Sequence, residues 1–257
     1  MISSEEQRVN ILGVGVSALS MDSALQKSED LLDAGGSGYV CVTGVHGIME
    51  AQSDEEFRRI LNHSFLTTPD GMPTVWLGHL KGFKKMTRVY GPDYMANMCQ
   101  RSVDRGYRHF LYGGKEGVAE ELRDELTRRF PGLQIVGTYT PPFRPLNSDE
   151  EELLRLQLEE VKADILWCGL STPKQERFMA AYMGRLPVKM MVGVGAAFDL
   201  LSGNLDEAPN WMKRCGLQWL YRLIKEPRRL WRRYLSNNPR FTWLTILQLT
   251  NIKRFSL

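Results

Sequence analysis

Short apolar runs alternate with longer amphipathic stretches along residues 9–194, and this periodicity restricts the fold more than any other feature of the chain. Residues 9–16, 38–42, 64–67, 109–112, 134–139, 164–168 and 189–194 read as strands. Between them, residues 21–34, 92–105, 116–130 and 149–162 carry helical start and stop signals. Ser20 opens the first helix and Gly35-Gly36 closes it, Pro92 stands in the first turn of the second, and Pro131-Gly132 ends the third. For the fourth, Ser148 is the expected cap, with Glu151 three residues on in a capping-box arrangement. Such alternation predicts an α/β fold: a mostly parallel, Rossmann-like sheet with helices on both faces. Ligands of such sheets bind beyond the carboxyl ends of the strands.

That rule directs attention to three strand ends. Gly113, Gly114 and Lys115 follow one run, Gly169 to Glu176 (GLSTPKQE) follow the next, and Gly195, Ala196, Ala197, Phe198 and Asp199 follow the last. Bare glycine amides ahead of a helix N-terminus suit an anion. Any one of these turns by itself reads first as a tight βα connection, and the three together lean toward a phosphate-bearing ligand. A nicotinamide cofactor fits poorly. Gly13-Val14-Gly15 and Gly193-Val194-Gly195 lack the third glycine of the dinucleotide fingerprint, and no acid marks the end of the 38–42 run. No P-loop string occurs either.

Asp70 sits between Pro69 and Gly71 at a strand end, where a backbone-constrained carboxylate can serve as general base or simply as a turn residue. His46, in Gly44-Val45-His46-Gly47, is aimed at the same rim. His63, His79 and His109 lack partners at ligand spacing and the D-x-D pair of many nucleotide-sugar enzymes is absent, so no metal site is expected. Cys41, Cys99, Cys168 and Cys215 form no C-x-x-C pair, and Cys41 and Cys168 read as small core residues. Residues 1–10 have no apolar run of signal-peptide length, and the longest apolar stretch, 188–201, is interrupted by Lys189 and Asp199 and too short for a bilayer span. A cytoplasmic chain without a transmembrane helix is expected.

Charge divides the chain. Residues 210–257 hold eleven basic side chains and one acid, Glu226, so a whole-chain formal charge of +3 leaves −7 for the remainder. Four of the six tryptophans, Trp211, Trp219, Trp231 and Trp243, lie in the same tail. Residues 1–208 are therefore read as an α/β body and 209–257 as a basic helical appendage. On a helical wheel, Arg228, Arg229, Arg232 and Arg233 span an arc of about 140°, opposite Leu230, Trp231, Tyr234 and Leu235. An amphipathic helix of this composition suits an anionic membrane surface, and packing on the body is the rival reading. Nucleic acid is disfavoured by the acidic body and the lack of a recognised motif. Several apolar faces would serve a homo-oligomer.

Six strings in order carry a resemblance over nearly the whole chain: residues 67–71 (TTPDG), 88–95 (RVYGPDYM), 109–114 (HFLYGG), 169–178 (GLSTPKQERF), 193–203 (GVGAAFDLLSG) and 208–233 (APNWMKRCGLQWLYRLIKEPRRLWRR). The sequence resembles the WecG/TagA/CpsF family, glycosyltransferase family 26. That resemblance implies an inverting, metal-independent enzyme moving a hexose or N-acetylhexosamine, of N-acetylmannosamine type or glucose, from a UDP-sugar to an undecaprenyl-diphosphate-linked acceptor in cell-surface or exopolysaccharide biosynthesis. It implies work at the cytoplasmic face of a bacterial inner membrane, with no cofactor beyond the UDP-sugar substrate. By position, Asp70 resembles the family's general base, Thr43 an active-site threonine, Arg88 an arginine near acceptor or diphosphate, and Gln175 a glutamine at the donor sugar. Arg214, Arg222, Arg228, Arg229, Arg232 and Arg233 resemble the arginines of an appendage that binds the membrane and covers the site. Many members carry T-x-N where this chain has Thr43-Gly44-Val45-His46, so His46 is a candidate for part of the asparagine's role and the sugar preference is left open. The alternative is a non-catalytic nucleotide-binding membrane adaptor, which would release no UDP.

Overall fold

The computed structural model describes residues 7–257. In chain order the elements begin β1 (Arg8–Ile11), β2 (Val14–Ser17), α1 (Met21–Asp33), β3 (Gly38–Thr43), α2 (Val45–Glu50), α3 (Glu55–His63), β4 (Leu66–Pro69), α4 (Met72–Leu80) and α5 (Gly91–Arg105). They continue β5 (Arg108–Gly113), α6 (Val118–Arg129), β6 (Gln134–Tyr139), α7 (Ser148–Val161), β7 (Ile165–Gly169), α8 (Lys174–Tyr182), β8 (Met190–Gly193), α9 (Ala197–Leu201), α10 (Asn210–Arg214), α11 (Gln218–Lys225) and α12 (Pro227–Leu249). Six strands form a parallel sheet in the order β4-β3-β8-β7-β5-β6, flanked by helices as the alternation predicts, and β1-β2 is a separate antiparallel hairpin.

The chain divides into two compact units: one of the described residues up to Met21 with Val42–Tyr90 and Glu207–Leu257, the other of Asp22–Cys41 with Gly91–Asp206. In the second unit, β8, β7 and β5 are buried along their lengths, as parallel strands covered on both faces must be. Register sets Phe110 opposite Leu166 and Trp167 opposite Val192. Cys41, Cys99 and Cys168 are core residues, while Cys215, in the other unit, is exposed. One polar pair lies inside this core. Trp167 Nε1 donates to His109 Nδ1 at 2.8 Å with the rings stacked, so the imidazole proton resides on Nε2. Complete burial lowers the His109 pKa to about 3.

The first unit is built around the hairpin and the tail. Arg8 reaches the Ser64 carbonyl at 2.6 Å, and α12 packs on α2 and buries Leu230, Phe241 and Thr245. Asn10 Nδ2 donates to the Phe255 carbonyl at 2.6 Å, and Leu12 N to Gln248 Oε1 at 3.1 Å. The last residues of the chain are thus hydrogen-bonded to some of the first that are described.

Local chemistry moves several boundaries. Residues 9–16, expected as one strand, break at Leu12 and Gly13, whose φ values of 53° and 82° turn the chain back on itself. A strand expected at 64–67 begins at Leu66 instead, because the hydroxyls of Ser64 and Thr67 both donate to the Leu61 carbonyl at the end of α3. The capping box of α7 is formed by Asn147 and Glu150, one residue earlier on each side than Ser148 and Glu151. Helix α6 starts at Val118 rather than 116, after Gly117 takes φ +84°.

The His109 shift has a definite sign. Its folded pKa, about 3, lies below the ordinary 6.5, so the stability it contributes is complete above about 6.5 and is lost as pH falls toward 3. Urea unfolding measured across that range should show falling stability on acidification, with a shallower slope in His109→Gln; equal slopes would contradict the assignment.

Candidate functional site

In the first unit, the ends of β3 and β4 are tied together, since Asp70 N donates to the Thr43 carbonyl at 3.1 Å. The segment carrying Arg88 joins them, with Val89 N donating to the Pro69 carbonyl at 2.8 Å. Gly44 lies beside the carboxylate, a Cβ there standing in ordinary contact with Asp70 Oδ2 at 3.8 Å. Arg88 Nε donates to the Asp70 backbone carbonyl at 2.5 Å, and its Nη2 lies 3.9 Å from Asp70 Oδ1. The guanidinium rests over the Tyr90 ring at 4.1 Å, a cation–π arrangement. Gln218, at the start of α11, holds both: its Oε1 accepts from Arg88 and its Nε2 donates to the Tyr90 hydroxyl at 2.6 Å. Burial, reinforced by the negative charges of Asp70 and Glu207, raises the Tyr90 pKa, so the phenol stays protonated.

His46 lies in the first turn of α2, where Asn237 Nδ2 of α12 stands 3.2 Å from its Nδ1. With the amide in this orientation, Nδ1 accepts and Nε2 carries the proton. Tyr234 lies on the same helix, and burial raises its pKa, with the Asp70 charge adding to the effect and Arg222 and Arg233 opposing it. The six tail arginines singled out by the family resemblance therefore divide. Arg214, Arg228, Arg229 and Arg232 are exposed, whereas Arg222 and Arg233 are half-buried, and the Arg233 pKa is lowered by burial and by the charges of Arg222 and Arg229. Exposed apolar side chains, Trp211, Trp231, Leu235 and Trp243, accompany the outward group.

The second unit gathers the glycine-bearing strand ends. Gly113 is opposite Gly169 in the β5–β7 register, and Gly114 N donates to the Gly169 carbonyl at 3.1 Å. No side chain fits at Gly113, where φ is +125° and a Cβ would come within 2.7 Å of the Gly169 backbone. Phe198 is completely buried, its ring 2.6 Å from where a Gly169 Cβ would be, so it shapes these turns from beneath. Lys115 is exposed, and Asp199 is half-buried in the first turn of α9. Gly195 N and Val194 N both donate to the Cys168 carbonyl.

Gln175 and Glu176 open α8 and are buried. Glu176 Oε1 accepts from Thr172 Oγ1 at 2.8 Å and from Gln175 Nε2 at 3.1 Å, and burial raises the Glu176 pKa. Sequence reading named Gln175 but gave no role to Glu176, Tyr90, Gln218, Asn237 or Tyr234. Glu176 was visible beside Gln175 in GLSTPKQE; the polar tail residues show their meaning only through contacts across more than a hundred positions of chain.

Residues 9–255 match the family described as "Glycosyl transferase WecG/TagA/CpsF family". The chain belongs to that family. Among its curated relatives, the N-acetylglucosaminyldiphosphoundecaprenol N-acetyl-beta-D-mannosaminyltransferase of Bacillus subtilis (strain 168) is 30% identical over 205 residues, covering 80% of this chain and 77% of the relative. A protein of the same name from Bacillus spizizenii is 29% identical over the same shares. Among the described residues of this family member, no helix is long and apolar enough to cross a membrane, and no group of three or more His, Cys, Asp or Glu is placed to hold a metal ion.

The glycine contacts give a stability test. Gly113→Ala should cost roughly 2 to 5 kcal/mol, combining positive-φ strain with a backbone collision. Gly117→Ala, at φ +84° with nothing within 4 Å of the new Cβ, should cost only about 1 kcal/mol. Denaturant melts in which the two variants match would contradict the close approach of Gly113 and Gly169.

Proposed function

We propose that this chain is an inverting glycosyltransferase that carries a hexose or N-acetylhexosamine from a UDP-sugar to a polyprenyl-diphosphate-linked acceptor at a membrane surface. The observation that carries the reading is the Asp70 carboxylate at the end of β4, beside an Arg88 held by Tyr90 and Gln218. The relatives' name supplies the acceptor class and the N-acetylmannosamine-type sugar as the first donor to try.

In a single displacement, an acceptor hydroxyl oxygen attacks C1 of the donor sugar while Asp70 takes its proton. The bond from C1 to the diphosphate oxygen breaks with its electron pair leaving on UDP, and the configuration at C1 inverts. Negative charge growing on the diphosphate needs cations and amide dipoles already in place. Arg88 and the half-buried Arg222 and Arg233, all of the first unit, are assigned to that task. Thr43 and His46 are assigned to orienting substrate hydroxyls. No metal enters this account, and transfer is expected to persist in EDTA.

General-base assistance is typically worth about 10² to 10⁴ in rate. Asp70→Asn should lower turnover on that scale with little change in donor KM, measured as UDP release with a synthetic polyprenyl-diphosphate acceptor in detergent. Undiminished turnover removes Asp70 from the role.

The outward arginines and tryptophans are assigned to the membrane, where each basic side chain near an anionic surface contributes about 1 kcal/mol. Because the tail contributes Leu230 and Phe241 to its own unit's core, point substitution is a cleaner test than truncation. Replacing Arg228, Arg229 and Arg232 together by Gln should weaken partitioning onto anionic vesicles by about a hundredfold, while detergent activity stays within a few-fold. Undisturbed vesicle flotation would refute the anchoring role.

A further inference from the structure

We propose that Glu176 is a positioning residue, whose carboxyl fixes the Gln175 carboxamide so that Gln175 Oε1 stands as a hydrogen-bond acceptor at the end of β8. The group that Gln175 reads on its ligand is then a hydroxyl or an N–H. This rests on the donor reading above and adds the sense of one hydrogen bond to it.

The geometry leaves the amide little choice. Glu176 is 1% exposed, and its Oε1 is shared by two donors, Thr172 Oγ1 and Gln175 Nε2. With Nε2 committed to that side, the planar carboxamide directs Oε1 the other way. Turning the amide over would set Gln175 Oε1 against Glu176 Oε1, oxygen facing oxygen, and would remove the donation from Nε2. Burial raises the Glu176 pKa from its ordinary value, and Oε1 is the oxygen that receives both donors. The carboxyl thus acts through Oε1 as a fixed acceptor toward Gln175.

Two glycines show where the carboxamide lies. A Cβ at Gly193 would stand 3.0 Å from Gln175 Cδ and Nε2, and one at Gly195 would stand 3.5 Å from Gln175 Oε1. The side chain therefore runs along the carboxyl end of β8, where parallel sheets bind ligands. Among the described residues no group donates to Gln175 Oε1, although the atom is buried and the residue is 3% exposed. A buried acceptor left in this state costs about 1 to 3 kcal/mol, so retaining one, with its orientation enforced by a neighbour, points to a ligand donor.

The test compares Glu176→Leu, Glu176→Gln and Thr172→Val in the full chain, with donor KM, kcat and thermal midpoint measured for each. Glu176→Leu removes the acceptor and frees the amide, so donor KM should rise about tenfold, the size of one lost neutral hydrogen bond, with kcat changed less than about threefold. Glu176→Gln keeps an acceptor oxygen of the same shape and should stay within about threefold of the parent in KM, as rescue by the conservative variant. Thr172→Val removes one of the two donors to Glu176 and should raise KM by a smaller factor, which keeps the proposal testable if Glu176→Leu does not fold. Unchanged KM in Glu176→Leu, or in Thr172→Val should Glu176→Leu be unfolded, overturns the proposal, as does a Glu176→Gln whose donor KM rises as far as that of Glu176→Leu. A parent protein that neither binds nor turns over any UDP-sugar overturns the donor reading itself, a failure distinct from insensitivity of the variants.

Discussion

The parallel ladder joining β5, β7 and β8 is the constraint on which the second unit depends. Its hydrogen bonds fix Gly113 opposite Gly169 and Cys168 opposite Gly193, so three strands end level with one another. Level ends bring backbone against backbone, and only glycine tolerates the resulting approach at 113. Phe198 beneath Gly169 then closes the space that an ordinary side chain would have filled. A polar side chain at this edge has few places to go, which is why Gln175 lies along Gly193 and Gly195 and why the chemistry of its neighbour decides its orientation.

Hydrophobic periodicity made the sheet legible, because a strand buried on both faces must be apolar along its whole length and a helix between strands must be apolar on one side. The failures occurred where backbone and side chain competed. At 9–16 the apolar pattern runs through Leu12 and Gly13 without interruption, yet positive φ at both residues makes a hairpin. At 64–67, Ser64 and Thr67 have strand-like surroundings, but their hydroxyls finish α3. Asp70 and Arg88 could be singled out from Pro69-Asp70-Gly71 and from the family strings. Gln218 and Asn237 could not, because a glutamine or asparagine among arginines and tryptophans carries no sign of a partner 128 or 191 positions away.

The tail shows how one composition can serve two tasks. A wheel drawn from Arg228 separates cations from apolar residues, but burial separates them again. Leu230 is enclosed while Trp231 and Leu235 are exposed, and Arg233 is half-buried while Arg228, Arg229 and Arg232 are in solvent. Glu226, the tail's single acid, accepts ion pairs from both Arg222 and Arg229, so it holds one inward and one outward arginine at the start of α12. A purely packed helix would have hidden the tryptophan and leucine, and a purely solvated one would not have drawn two arginines inward against their mutual repulsion.

The same logic bears on the base proposed at position 70. A carboxylate locked in a close bidentate pair with arginine has both oxygens committed and is poorly placed to take a proton from a third party. Arg88 makes its close contact with the backbone carbonyl of Asp70, while its distance to the carboxylate is 3.9 Å. Gln218 accepts a hydrogen bond from Arg88 Nη2, and the Tyr90 ring lies under the guanidinium. Arg88 is thereby held near the carboxylate as a positive charge without closing on it, and the Asp70 side chain keeps about a third of its surface exposed. Such an arrangement suits the role proposed for Asp70: the cation is close enough to favour the carboxylate anion, and its hydrogen bonds to the Asp70 carbonyl and to Gln218 go to atoms other than the carboxylate oxygens.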